Sequence, residues 1–226
     1  GTAGIVAARS SVGAVALVAD VDAHSVLPFS TGVIGEPLPV QRLEQAVPAA
    51  FAALRADGWA AAAEGILTTD TRPKAFSVCF NCDSHDYVVT GIAKGSGMIR
   101  PNMATMLAFI ATDMAVEQTL LQEMLAELVD ISFNRITVDG DTSTNDACLL
   151  LATGEAGNDE VTDRASALYK ALREAVETVC INLAQSIVRD GEGASKFVTV
   201  QVNGGRSERE CLDVAFTIAH SPLVKT

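Results

Sequence analysis

Through residues 40–55 the apolar positions Leu43, Val47, Phe51 and Leu54 recur at three- and four-residue steps, which predicts an amphipathic helix ended by Asp57-Gly58. A second helix follows over about 59–67, and a run of small residues predicts one over 3–20. Residues 26–35 (VLPFSTGVIG) read as a short apolar strand entering a Gly-bracketed turn. Residues 75–82 and 87–93 are strand-like, and the polar stretch 81–86 between them predicts a hairpin. Residues 94–104 (KGSGMIRPNMA) have the Gly, Pro and Asn content of an ordered loop, and 105–112 (TMLAFIAT) read as a buried strand. Leu120, Leu121, Met124, Leu125 and Leu128 give residues 116–130 one apolar helical face. Beyond them the pattern predicts strands at 134–138, 147–153 and 196–203, a long helix over 165–187, and a last helix over 208–220. Polar breaks at 139–146 (DGDTSTND) and 190–195 (DGEGAS) separate these elements.

Strands come in consecutive groups with helices between the groups. That order favours stacked helical and sheet layers of an α/β fold over strict βαβ alternation. No internal repeat interrupts it, so residues 1–226 read as one α/β region. Hydrophobic residues make up 49% and aromatics 5%, which argues against disorder and for close packing of small side chains. The net charge of −12, with no two adjacent Lys or Arg residues, argues against nucleic acid as a partner. No uninterrupted apolar run reaches membrane-spanning length, so no membrane partner is expected. Residues 12–19 after Arg9 have a faint signal-peptide look, but Asp20 and Asp22 follow at once, and an apolar helix is the better reading. Five irregularly spaced cysteines point to a reducing, cytoplasmic compartment rather than a disulfide framework.

The usual catalytic signatures are missing. His24, His85 and His220 lie in no recognisable Ser/Cys/His setting, and no nucleophile elbow, dinucleotide fingerprint or phosphate loop is present. Cys79, Cys82 and His85 cluster as three metal-type ligands, but a structural zinc site needs four, and Asp83 and Asp86 are poor fourths. Asp139, Asp141 and Asp146 lack the ligand spacing of a calcium loop, with Gly140 at the second position and no terminal Glu. That segment reads as a turn shaping a cleft or a subunit contact. No metal and no cofactor are therefore expected. The remaining feature is the abrupt join at Ala104-Thr105. Strand propensity alone accounts for a threonine there. Cleavage of the Ala104–Thr105 bond would change its chemistry, because the freed α-amine, with a pKa of about 7.7–8.0, could take the proton of its own hydroxyl.

Residues 94–111 (KGSGMIRPNMATMLAFIA) resemble the cleavage region of the bifunctional ornithine acetyltransferase / N-acetylglutamate synthase family. So, in family order, do residues 26–35, 68–74 (TTDTRPK), 134–146 (NRITVDGDTSTND), 190–196 (DGEGASK) and 221–226 (SPLVKT). The resemblance covers nearly the whole chain from about residue 24. It implies an α-β-β-α sandwich of the N-terminal-nucleophile type, self-cleaved into an α part (1–104) and a β part (105–226). It further implies that Thr105 accepts acetyl from N-acetylornithine and that glutamate removes it, in a ping-pong cycle of arginine biosynthesis with acetyl-CoA as a further donor. Thr31 and Gly32 match the oxyanion-stabilising pair, a role suited to a tight turn. Thr69, Lys94 and Glu192 match substrate-binding positions, where Lys94 could meet a carboxylate and Glu192 an ammonium. Two cleaved pairs would form a heterotetramer. Taken singly, each residue also has a plain reading as a turn, strand-end or solvated side chain; the matching set favours the functional one.

The family's chains extend further at both ends, and the part beyond residue 226 carries further substrate-binding residues. The sequence is therefore expected to be either a fragment or a natural truncation. A related N-terminal-nucleophile amidase or aminopeptidase, with water replacing glutamate, and a non-catalytic homologue are the alternative functions.

Overall fold

A computed structural model describes residues 1–100, 106–142 and 145–225. They fall into two compact units, Gly1–Trp59 and Ala60–Thr226.

In the first unit, α1 (Thr2–Ala19) packs against α2 (Val40–Ala52), and Ser10 Oγ donates to Glu44 Oε1 at 2.6 Å. α1 is long and apolar enough to cross a membrane by length and composition. It stops where Asp20 adopts a left-handed backbone (φ 54°). The strand expected within 26–35 does not form. Residues 26–32 have no ladder, and a turn follows at 33–35. Pro28 supplies no N–H, and no strand among the described residues of this unit is available to pair with the segment.

The second unit opens with α3 (Trp59–Gly65) and is built on one mixed sheet of order β1-β2-β3-β4. Strands β1 (Lys74–Cys82) and β2 (His85–Lys94) form the expected hairpin. Its two-residue turn, Asp83-Ser84, has both φ angles positive (51° and 64°). That conformation matches the twist of the strands it joins, and short polar side chains tolerate it. Strand β3 (Leu107–Thr112) pairs antiparallel with β2 and parallel with β4 (Ala147–Ala152).

Helix α4 (Gln118–Ile131) starts at Glu117, whose carboxylate accepts the N–H groups of Thr119 and Leu120. Helix α5 (Ala167–Arg189) starts at Ser166, whose Oγ accepts from Tyr169 N at 3.1 Å. Leu120, Met124 and Leu128 of α4 join Leu172, Val176, Val179, Leu183 and Ile187 of α5 in one core with Val89 and Ile110 of the sheet. β1 alternates accordingly: Phe76, Val78, Phe80 and Cys82 turn towards this core, and Ala75, Ser77, Cys79 and Asn81 are exposed. The described residues thus give an α/β unit with both helices on one sheet face.

Two further expected strands are absent among the described residues. Residues 133–135 make a 3-10 turn in place of the strand at 134–138, and residues 196–203 have no ladder partner. Alternating apolar residues such as Val198 and Val200 suit a strand only where an edge is there to receive them. The final helices are α6 (Glu208–Ala219), capped by Ser207, and the short α7 (Pro222–Lys225).

Candidate functional site

The edge of the sheet where β1 begins and β2 ends gathers the loop before β1, the loop after β2 and the break after α5. Asp70, with a fully buried side chain, ties the first two. Its Oδ1 accepts from Gly95 N at 2.7 Å and from Lys74 Nζ at 2.6 Å, and its Oδ2 accepts from Thr68 N at 3.1 Å. Asp190, just past α5, ties in the third. It accepts from Lys74 Nζ at 2.6 Å, from Thr71 N at 3.1 Å and from the Thr71 hydroxyl. Lys74 is therefore a buried ammonium shared by two buried carboxylates. Burial alone would raise both carboxyl pKa values. For Asp70 the Gly95 N–H, the Lys74 ammonium and the Thr68 N–H outweigh it, and for Asp190 the Lys74 ammonium and Thr71 do so; both carboxyls titrate below their ordinary range.

This network brings three of the expected residues to one region. Thr69 directly precedes Asp70 and is exposed. Lys94 ends β2 beside Gly95 and is 3% exposed. Glu192 follows Asp190 by two residues, and its N–H donates to Ser96 O at 2.8 Å. Its carboxylate lies over Gly97 so closely that a Cβ there would stand 2.6–2.7 Å from it. Burial lowers the Lys94 pKa; Asp70 and Asp146 oppose that, and Lys74 adds to it.

Beyond Gly97 the chain is held by the acidic loop. Asp139 accepts from Met98 N at 2.5 Å and Ile99 N at 3.0 Å, and Val138 N donates to Ile99 O at 2.7 Å. Asp146 accepts from Met106 N, the amide nitrogen that follows Thr105 in the chain. The two aspartates thus hold the chain on either side of residues 101–105. Burial pushes the Asp146 carboxyl up to about 7, against the pull of the Met106 N–H and Lys94. Asp146 Oδ2 and Ser96 Oγ are both buried without a hydrogen-bond partner among the described residues. Asp146 also lines a pocket with Met106, Leu125, Val129, Phe133 and Cys148.

Ala104 and Thr105, the expected scissile pair and nucleophile, lie outside the described residues. Thr31 and Gly32 lie in the first unit, in the irregular segment before the turn, with open space where a Gly32 side chain would stand. Cys79 and Cys82 are an odd number of residues apart on β1, so their side chains leave opposite faces, and the hairpin geometry does not converge them on one ion. His85 Nδ1 instead contacts Asp83 O at 3.0 Å. Burial raises the thiol pKa values of Cys148 and Cys180, which makes both poor nucleophiles.

Sequence reading missed Asp70, Lys74, Asp190 and Ser96 as a group. All four lie inside the recognised blocks, but the pairing of Lys74 with Asp190 spans 116 residues and leaves no local mark.

The whole chain, residues 1–226, matches the family described as ArgJ family. It is 58% identical over 226 residues to the arginine biosynthesis bifunctional protein ArgJ of Pseudomonas syringae pv. tomato, covering 100% of this chain and 56% of that protein. The protein of the same name from Pseudomonas fluorescens is 55% identical, with the same coverage. The one from Psychrobacter arcticus is 56% identical over 213 residues, covering 94% of this chain and 52% of that protein. The crystal structure of the arginine biosynthesis bifunctional protein argJ of Bacillus halodurans matches at 42% identity and a TM-score of 0.49, over 52% of this chain and 55% of that one. The chain thus spans about half the length of these relatives.

Proposed function

The chain belongs to the ArgJ family, and from that premise we propose that it carries the catalytic core of an acetyltransferase of arginine biosynthesis, moving acetyl from N-acetylornithine to glutamate through an ester on Thr105. The observation that carries this reading is the convergence of the Thr69, Lys94 and Glu192 segments at one end of the sheet, next to a chain stretch anchored on both sides of residues 101–105.

In this reading the protein is a cytoplasmic enzyme with an α-β-β-α sandwich fold, matured by its own chemistry. The Thr105 hydroxyl attacks the Ala104 carbonyl carbon, its proton passes to the amide nitrogen, and the C–N bond breaks to leave an ester. Water hydrolyses the ester, leaving a carboxylate on Ala104 and a free amine and hydroxyl on Thr105. The amine then serves as base: the hydroxyl attacks N-acetylornithine, ornithine leaves with the proton, and the glutamate amine takes the acetyl group from the ester. Thr31 and Gly32 stabilise the oxyanion of each tetrahedral intermediate. A buried ammonium at Lys94 suits a substrate carboxylate, and an exposed carboxylate at Glu192 suits a substrate ammonium. Two cleaved pairs assemble as a heterotetramer, and acetyl-CoA is a second donor.

The test is intact mass under denaturing conditions, followed by incubation with N-acetylornithine. Two chains split between Ala104 and Thr105 in place of one 23.6 kDa chain, and an acetyl adduct on the second that glutamate removes, are expected. Thr105→Ala should abolish both events, because both need that hydroxyl. Cleavage of the same bond in Thr105→Ala would overturn the mechanism. An adduct discharged equally fast by water alone would make the chain an amidase.

A further inference from the structure

Lys74 opens β1 with its side chain 1% exposed, and its ammonium lies 2.6 Å from a carboxylate oxygen of Asp70 and 2.6 Å from one of Asp190. Each carboxylate also holds backbone. Asp70 takes the N–H of Gly95, next to Lys94, and itself follows Thr69. Asp190 takes the N–H and hydroxyl of Thr71 and begins the turn that carries Glu192. Arg72 also reaches Asp190, at 3.8 Å, but from a half-exposed position where water weakens it. Among the described residues, Lys74 is therefore the buried cation that bonds both buried anions. Without it, those anions would repel across a poorly solvated gap, and the strands and turns attached to them would move apart.

We propose that Lys74 is a positioning residue of the active site, setting the spacing between the Thr69–Lys94 side and the Glu192 side by bridging Asp70 to Asp190. A buried ion pair by itself is weak evidence of a stabilising role, since apolar residues of similar volume often serve as well. Here the bridge joins two segments far apart in sequence, and both carry groups suited to opposite ends of an amino-acid substrate. The inference rests on the proposed substrate roles of Thr69, Lys94 and Glu192, but the bridge can be tested separately from them.

The experiment compares the chain with Lys74→Met, which keeps length and removes charge, at a temperature where circular dichroism shows both folded. Residue-resolved amide exchange reads the bridge directly. Gly95, Thr71 and Glu192 should exchange about tenfold faster or more in the variant, while Val176 and Val179 in the core of α5 change little. Steady-state kinetics then read its consequence: KM for N-acetylornithine should rise about tenfold, with kcat changed less than about threefold. If Lys74→Met does not fold, the triple variant Lys74→Met/Asp70→Asn/Asp190→Asn replaces it; it keeps one acceptor oxygen at each carboxylate position, removes all three charges and the bridge, and should show the same faster exchange. Unchanged exchange at Gly95 and Glu192 in a folded variant overturns the proposal, as does an unchanged KM in an active one. A parent chain with no acyl transfer at all would sink the proposed function, and the exchange comparison would still decide the bridge.

Discussion

At the scale of single residues, Asp146 and Lys94 differ in kind from the network around Lys74. Lys94 is buried and Asp146 half-buried, of opposite charge and with less compensation, and Asp146 holds the amide that follows Thr105. The Asp146 carboxyl titrates at about 7 when folded, against an unfolded value of 3.8. Its protonated form is the one the fold favours. The associated stability is fully present below about pH 4 and is lost as pH rises through about 7. Asp146→Asn keeps an acceptor for Met106 N–H and cannot ionise. It should flatten the dependence of Tm on pH between about 4 and 7, which scanning calorimetry over that range will show. A parent curve without a fall between about pH 4 and 7, or a variant with the same fall, would contradict the assignment. The acidic run was legible as such in the sequence. That two of its members bond the backbone on either side of residues 101–105 was not, because those contacts close loops of about forty residues.

At the scale of elements, hairpin and helices followed their patterns closely, because periodicity and turn residues are local properties. Gly91 shows where tertiary contact adds a constraint. It sits in β2 under α5, and a Cβ built there would lie 2.8 Å from Val179 Cγ1 and 3.0 Å from Leu183 Cδ1. The glycine lets the helix approach the sheet, so Gly91→Ala should overpack this contact and cost about 1–3 kcal/mol, read as a lower urea midpoint with an unchanged slope. An unchanged midpoint would show that the helix can shift without cost. The segments expected as strands at 26–35, 134–138 and 196–203 fail for the complementary reason. A strand is completed by a neighbour, and the described residues offer them none.

At the scale of the whole molecule, charge sets two limits on the pH range. Asp70 and Asp190 titrate below their ordinary range, so their contribution is present above about pH 4 and is lost as pH falls through their lowered values. Asp146 acts in the opposite sense between about pH 4 and 7. Tm should therefore be highest near about pH 4 and fall on both sides, and Asp146→Asn should remove only the fall above it. Thermal scans from about pH 2.5 to 8.5 test this, and a Tm still rising below pH 4 would refute the stated direction for the Lys74 network.

What the sequence by itself determined is whatever depends on neighbours along the chain: helices α1, α2, α4, α5 and α6, the β1–β2 hairpin, the irregular stretch 95–100 after it, and the blocks that mark the family. Side-chain period, caps and turn chemistry act over a few residues and can be read there. Tertiary structure alone decided that Asp70, Lys74 and Asp190 share one buried charge network, that Glu192 lies over Gly97, and which alternating segments became strands. Each of these depends on which distant groups are desolvated together, and that is a property of the closed fold.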